Sequence, residues 1–211
     1  MKVLEINLLI LLLSVGLVGC AAAAPVAVTP AAPVPTATPV PTPCSPEPIA
    51  VPTPPAEIPG YTELDPTTGL HVTGTVPELD FQGYRLEVTG KVDRPLSLTY
   101  DELRCLPRIE TRCILNCPGF FQDEATWAGA SLQAVLERAG VQADAERLRL
   151  VSADGYATVV FLSQLEQGED FLAYEWEGEP LPIVHGFPLR AVFPALDGNK
   201  WAKWLVQIDV V

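Results

Sequence analysis

The sequence predicts an α+β domain with a sheet-rich core, preceded by an N-terminal region that belongs to no domain. Short segments in which apolar and polar residues alternate recur through the second half of the chain, as they do in half-buried strands. Only a few segments combine a helical spacing of apolar residues with capping residues at their ends. Of the 211 residues, the 151 from Tyr61 to Val211 suffice for one domain with a buried core and not for two.

Two helices are predicted from the residues at their ends. Thr99 and Glu102 have the spacing of a capping box, so a short helix starts there and stops before Pro107. Residues 131–139 place apolar side chains on one helical face, and Gly140 supplies the stop. The remaining predicted elements are a short helix at 162–167, strands at 84–89, 111–116, 148–152, 156–161, 189–193 and 205–210, and a hairpin turn at 153–155.

Residues 1–20 have the features of an export signal. Lys2 precedes an apolar run over residues 6–18, and Leu17-Val18-Gly19-Cys20 resembles the cleavage box of bacterial lipoproteins, in which the Cys is lipidated. An uncleaved transmembrane anchor is the alternative, because residues 6–24 are nearly long enough to span a bilayer. Both interpretations place the domain outside the cytoplasm and attach it to the bacterial cell membrane, through lipidated Cys20 in the first case.

Residues 21–60 are predicted to form a Pro-rich disordered linker. These 40 residues contain 13 of the 22 Pro of the chain and two charges, Glu47 and Glu57. Pro at this density favours extended polyproline II, in which the segment would reach about 120 Å. The domain that follows this stalk is placed at residues 61–211.

The charge of the domain argues against a nucleic-acid partner. The chain has a formal net charge of -13, and residues 61–211 account for -11 of it, with 12 Lys and Arg against 23 Asp and Glu. An acidic body of this kind repels phosphate backbones. Against that background, His185, Arg190, Lys200 and Lys203 cluster near the C-terminus. They predict either an anion site, for phosphate for example, or the solvated ends of strands.

Apart from Cys20, the chain has four cysteines, Cys44, Cys105, Cys113 and Cys117. Outside the cytoplasm a disulfide is expected among the last three, and Cys105 with Cys113 is the predicted pair. Cys117 follows a predicted buried strand and precedes a Pro-Gly turn, where a thiolate could ligate a soft metal. A zinc site is not indicated, because no second cysteine pair follows and the chain has only two His.

Several other residues are expected to have structural roles. Trp127 and Gly129 are expected to pack beside the loop after Cys117. Trp201 and Trp204 are three residues apart and are expected to belong to the core or to an interface. His71 is expected to lie on the surface.

A series of short motifs spans most of the predicted domain. In order, they are LEVTGKV at 86–92, PLSLTYDEL at 95–103, Cys117 followed by WAGASL at 127–132, SADGY at 152–156, LAYE at 172–175 with GEPL at 178–181, HGFPLR at 185–190 and KWAKWL at 200–205. Each motif is weak alone. Together, over about 125 residues, they resemble the oxidoreductase molybdopterin-binding domain, which is the catalytic domain of the sulfite oxidase family.

The resemblance implies an enzyme that depends on the molybdenum cofactor. In this family one Cys thiolate binds molybdenum beside the dithiolene of the pterin, and Cys117 has that position. Basic residues hold the pterin phosphate, which corresponds here to His185, Arg190 and Lys200, with Lys203 nearby. The resemblance also implies oxygen-atom transfer on a sulfite- or sulfoxide-type small molecule, and electron exchange with a haem or membrane partner.

The alternative, from a different class, is a cofactor-free extracytoplasmic binding or scaffold module that keeps the fold. The state of the Cys117 thiol separates the two hypotheses. An enzyme requires Cys117 to be outside any structural disulfide, whereas a bridge from Cys117 to Cys113 or to Cys105 favours the scaffold.

Overall fold

Ten strands in two five-stranded sheets and two short α-helices occur in residues 44–166 and 168–211, the part of the chain that this computed structural model describes. The α+β class predicted from the sequence is therefore confirmed. The predicted export signal, the lipidation site Cys20 and residues 21–43 of the predicted linker lie outside the described residues. Within the described ranges, no helix is both long and apolar enough to cross a bilayer.

The elements alternate between the two sheets along the chain. In chain order they are β1 (Leu86–Gly90), β2 (Leu96–Leu98), α1 (Tyr100–Arg104), β3 (Arg108–Cys117), β4 (Phe121–Ser131), α2 (Leu132–Ala139), β5 (Arg147–Ser152), β6 (Ala157–Phe161), β7 (Phe171–Trp176), β8 (Glu179–Pro180), β9 (Arg190–Val192) and β10 (Leu205–Val210). Single 3₁₀ turns occur at 162–164, 183–185 and 198–200. The first sheet has the order β2-β1-β10-β5-β6, and the second has the order β3-β4-β7-β8, with β9 also paired to β7.

Both predicted helices are present, with the capping that the sequence indicates. The Thr99 side chain and Glu102 form a complete capping box at the start of α1. The Ser131 hydroxyl accepts a hydrogen bond from the Ala134 N–H at 3.2 Å and so caps α2. Gly140 ends α2 with φ 71°, in the left-handed region that favours glycine.

One hydrophobic core joins the two sheets. Leu86 and Ile208 from the first sheet, Trp127 and Phe171 from the second, and Leu132 from α2 are all buried in the same cluster. Trp201 and Trp204 are also buried, as the sequence predicted. Side chains from both sheets and from α2 therefore share one core.

The predicted Cys105–Cys113 disulfide is wrong. Cys105 is bonded to Cys44, and Cys113 is a free thiol. Cys105 lies at the end of α1, whereas Cys113 is the sixth residue of β3, so the strand carries it about 17 Å from its first residue. The bond that forms instead fastens the end of the predicted linker to the domain, where the Arg104 guanidinium also donates to the Glu47 carbonyl at 2.8 Å.

β4 and β7, the central strands of the second sheet, are not among the strands predicted from the sequence. β4 contains Gly129 at a point where it approaches β7 too closely for any side chain, because a Cβ there would lie 1.9 Å from the Leu172 carbonyl oxygen. A run interrupted by glycine and alanine gives a weak strand signal. The helix predicted at 162–167 is only a 3₁₀ turn over Leu162–Gln164.

Candidate cofactor site at the end of strand β3

Cys117 lies where two cavities adjoin. It is the last residue of β3 and pairs with Phe121, the first residue of β4. Its thiol is free and half-buried. The larger cavity has a volume of about 500 Å³ and includes exposed side chains in its lining, while the smaller has about 30 Å³ and is lined mainly by buried residues.

The structure brings together four of the five domain residues predicted for the site. Cys117 lines both cavities, and Lys203 lines the larger one. His185 and Arg190 line the smaller one, together with Trp127. Lys200 lines neither cavity.

Arg190 is a buried cation held by aromatic rings. It begins β9 and is 6% exposed. Its guanidinium carbon lies 4.9 Å from the centre of the Trp127 ring and 5.7 Å from that of Trp201. One terminal nitrogen donates to the His185 carbonyl at 3.2 Å, whereas Nε has no partner among the described residues. Burial lowers the pKa of Arg190 to about 10, so it stays protonated at neutral pH.

Lys203 is a second buried cation, 7% exposed. Its Nζ donates to the Thr73 carbonyl and, at 2.8 Å, to the Val184 carbonyl, and it lies 4.4 Å from the centre of the Trp204 ring. Burial, and secondarily the charge of Arg190, lowers the pKa of Lys203 to about 7.

Neither buried cation has a carboxylate partner. In the described part of the chain, no Asp or Glu oxygen lies within 4.0 Å of the charged nitrogens of Arg190 or Lys203. Lys and Arg are almost never buried without an ionic partner, because desolvation of the charge is costly. The pair therefore fits an anionic ligand in the adjoining space.

His185 is buried and neutral. Its Nε2 lies 2.8 Å from Thr68 Oγ1 and 3.1 Å from Asp65 Oδ2. Burial and the charges of Arg190 and Lys203 lower its pKa to about 4, although Asp65 acts in the opposite direction. His185 therefore contributes no charge at neutral pH, and its Nε2 hydrogen-bonds the segment before β1.

Lys200 lies in the 3₁₀ turn at 198–200, and its amine is bonded away from both cavities. Its Nζ donates to the Val159 carbonyl at 2.9 Å, which fastens the turn at 198–200 to β6. Gly198, in the same turn, packs against the thiol, since a Cβ there would lie 2.9 Å from Cys117 Sγ. Asn116 donates to Asp197 Oδ1 at 2.9 Å and ties the strand end to the start of the turn.

The expectation that His71 lies on the surface is wrong. His71 is partly buried and lines the smaller cavity with Cys117. Its Nδ1 lies 2.6 Å from Asp123 Oδ1, and its ring stacks on Phe121 at 4.3 Å between centroids. Phe121 and Asp123 share a face of β4 with period two, opposite Cys117 and Leu115. Had β4 been predicted, that alternation would have placed Asp123 beside the thiol.

The cysteines behave as the enzyme hypothesis requires. Cys117 and Cys113 are four residues apart on β3, about 13 Å, which is too far for a disulfide between them. Burial raises the pKa of the Cys117 thiol, with Arg190 opposing, and raises that of Cys113 to about 11. Coordination to a metal would remove the Cys117 proton outright.

The donor set fits a cofactor that brings most of its own metal ligands. Among the described residues, no three His, Cys, Asp or Glu side chains come together to hold a metal ion. Cys117 can supply one soft ligand, and the unpartnered Arg190 Nε and Lys203 can hold an anionic tail. The fold and the site thus define an α+β domain with one free thiol and two buried basic side chains that could together hold an anionic, metal-bearing cofactor.

Comparison with known proteins identifies the family. Residues 73–211 match the model of the oxidoreductase molybdopterin binding domain, so the chain belongs to that family. It is 37% identical over 139 residues to the uncharacterized oxidoreductase YuiH of Bacillus subtilis, covering 65% of this chain and 70% of that protein.

Larger relatives contain the same domain as one part. Human mitochondrial sulfite oxidase is 33% identical over 165 residues, covering 64% of this chain and 30% of that protein. NADH nitrate reductase of Ulva prolifera is 31% identical over 170 residues, covering 65% of this chain and 20% of that protein. The crystal structure of the sulfane dehydrogenase SoxCD from Paracoccus pantotrophus matches with a TM-score of 0.60 and 25% identity, covering 72% of this chain and 44% of that one.

Proposed function

We propose that this domain binds the molybdenum cofactor through Cys117 and catalyses oxygen-atom transfer on a sulfite- or sulfoxide-type small molecule. The observation that carries the proposal is the placement of a free thiol beside two buried cations, Arg190 and Lys203, that have no carboxylate partner among the described residues. The bound cofactor would supply the redox chemistry at molybdenum.

The residues of this chain would bind, orient and shield the cofactor. Arg190, which lies over two indole rings, and Lys203 would hold the pterin phosphate. A bound phosphate favours the protonated amine, so it would raise the pKa of Lys203 above its value of about 7 in the free domain. Neutral His185 would take part as a hydrogen-bonding group, and Lys200 by holding the turn against Cys117.

Metal and pterin analysis of protein purified from its native membrane tests the proposal. One molybdenum and one pterin per chain are expected. Cys117→Ser should lose the metal and keep the fold, whereas Cys113→Ser, which alters a free thiol on the same face of β3, should keep both. Folded wild-type protein without molybdenum and pterin would favour the scaffold hypothesis, and so would equal metal content in the two variants.

The proposal includes a place outside the cytoplasm, with the domain attached to the bacterial cell membrane by a lipid on Cys20. The Cys44–Cys105 disulfide supports that location, since such bonds persist in oxidising compartments. Cys20→Ala should release the protein from the membrane fraction and abolish labelling by a radioactive fatty acid. Retention of both by the variant would refute lipid attachment at Cys20.

Electron exchange with a haem protein or another membrane partner completes the proposal. The acidic domain, with a net charge of -11 over residues 61–211, favours a partner with a basic docking face. The reaction rate with such a partner should fall as salt is added, while the rate with a small neutral electron carrier should not.

A further inference from the structure

A further cavity, with a volume of about 440 Å³, lies along one face of α2. It shares no lining residue with the two cavities beside Cys117. Its size is typical of small-molecule sites, which have about 300–1,000 Å³. The residues that α2 and its C-terminal end contribute form one stripe at helical spacing: Leu132, Gln133, Leu136, Glu137 and Gly140. At 1.5 Å per residue, this stripe is about 12 Å long.

Much of the lining of this cavity is apolar. Val141, Leu162 and Leu165 line it in addition to the two leucines of α2. Leu132 belongs to the hydrophobic core, and the other four are partly buried and pack against that core. An apolar group that entered the cavity would therefore contact fixed side chains and would remove their remaining surface from water.

A buried carboxylate, Asp170, also lines the cavity. It is 5% exposed, and in residues 44–166 and 168–211 no Lys, Arg or His nitrogen lies within 4.0 Å of it. One oxygen accepts the Glu166 N–H at 2.7 Å, which uses one of about four acceptor positions of a carboxylate. Burial raises the pKa of Asp170 to about 6, so it remains mostly ionised at neutral pH.

The charge around the cavity is negative throughout the part that the structure describes. Glu137 and Glu166 line it together with Asp170, and no Lys or Arg does. Arg94 lies at the end of α2, but its guanidinium donates to the Arg138 and Glu137 carbonyls at 3.0 and 3.2 Å and does not line the cavity. A buried carboxylate without an ionic partner is costly, and a cation in the adjoining space would offset that cost.

We infer that this cavity binds a small organic ammonium ion, with the charged group at Asp170 and Glu166 and an apolar body against the leucines of α2 and Leu165. The inference concerns a site separate from that of the cofactor and does not depend on the proposed function. The charge selects a cation, and the apolar lining selects one that carries a hydrocarbon body. A macromolecular partner fits less well, because a stripe about 12 Å long is short for an interface that covers about 800 Å² on each side.

Isothermal titration calorimetry of the full-length protein with 2-phenylethylammonium tests the inference, with 2-phenylethanol as the neutral probe of the same shape. The ammonium should bind about tenfold more tightly than the alcohol, because a close and partly desolvated charge pair adds at least this much. Asp170→Asn keeps an oxygen acceptor for the Glu166 N–H and should reduce the preference to less than threefold. Asp80→Asn is the matched control, since exposed Asp80 also accepts one backbone N–H, from Gln82, and does not line the cavity.

A second variant tests the apolar part of the site and does not rely on the folding of Asp170→Asn. Leu165→Ala should weaken both probes about fivefold, because it removes an apolar contact whatever the charge of the ligand. Leu64→Ala, which alters an exposed leucine that does not line the cavity, should change neither affinity. An equal preference for the ammonium in wild type and Asp170→Asn would overturn the inference, and so would tighter binding of the anion 3-phenylpropionate. The calorimetry does not depend on molybdenum, so failure of the proposed function would leave its result intact.

Discussion

Removal of the Cys44–Cys105 disulfide is expected to cost the domain about 4 kcal/mol of unfolding free energy. The two cysteines are 61 residues apart in sequence. In the chain-entropy model, closing a loop of that length removes about 14 cal/mol/K from the unfolded chain, which is about 4 kcal/mol at 25 °C. A domain of ordinary stability has only about 5–15 kcal/mol in total, so the loss would be large.

Urea unfolding of a Cys44→Ala/Cys105→Ala double variant, followed by tryptophan fluorescence, measures this loss. Reduction of the wild-type protein should lower its stability to that of the double variant, and reduction of the variant should change nothing. Cys113→Ala is the control for pairing. A Cys105–Cys113 bond would close a loop of eight residues, worth about 2.5 kcal/mol, and would make Cys113→Ala insensitive to reductant.

Two results would refute the reasoning. A loss below about 1 kcal/mol in the double variant would show that the segment around Cys44 unfolds separately from the core, because then the bond would not restrict the cooperative unit. Insensitivity of Cys113→Ala to reductant would show that the sequence-based pairing is the true one.

Three further predictions concern the site and the sheet behind it. Gly198→Ala should displace the Cys117 thiol, because the added Cβ would lie 2.9 Å from Sγ. Metal analysis should show a lower molybdenum content, while the circular dichroism spectrum stays unchanged. A full molybdenum content would contradict this. Gly129→Ala should lower the free energy of unfolding by about 3 kcal/mol or more, the upper range for overpacking, since its Cβ would lie 1.9 Å from the Leu172 oxygen. A Tm within a few degrees of the wild-type value would contradict this. In cofactor-free protein the contribution of Lys203 to the unfolding free energy should rise between about pH 7 and about pH 10.5, because Lys203, with a folded pKa of about 7 against 10.5 in the unfolded chain, holds fewer protons when folded. Lys203→Met should flatten that rise in a thermal-shift series, and an unchanged slope would contradict the assignment.

The parts of the fold that the sequence predicted are those encoded locally. The capping box at Thr99 and the Gly140 stop depend on neighbours within a few residues, and both helices occur where expected. β4 pairs with β3 across a short turn and also with β7, much later in the chain, and the Cys44–Cys105 bond joins residues 61 apart; no local pattern reveals the two distant partners. In β4 the close approach to β7 at Gly129 also excludes the branched residues that signal a strand in a sequence.

The same distinction between local sequence signals and distant contacts applies to the candidate site. Cys117 and the basic residues could be found because their order along the chain resembles a family. The direction in which each side chain points could not be predicted, since it depends on tertiary packing. Lys200 therefore turns toward Val159 and away from both cavities, and His71, which has no neighbouring motif, lies beside the thiol.

The turn at 198–200 lies between the two halves of the site, Cys117 and Lys203, which are 86 residues apart in sequence. It touches the thiol through Gly198, and the chain leads from it to Lys203, which faces the same cavity. Asn116, beside the thiol on β3, holds Asp197 at the start of that turn. The end of β3 and the segment that carries Lys203 are thus joined through this one turn. An anionic ligand that contacts both halves would bind only the folded domain and would offset the burial of two cations. Its binding should therefore stabilise the domain, by about 2.7 kcal/mol at a hundredfold excess over Kd.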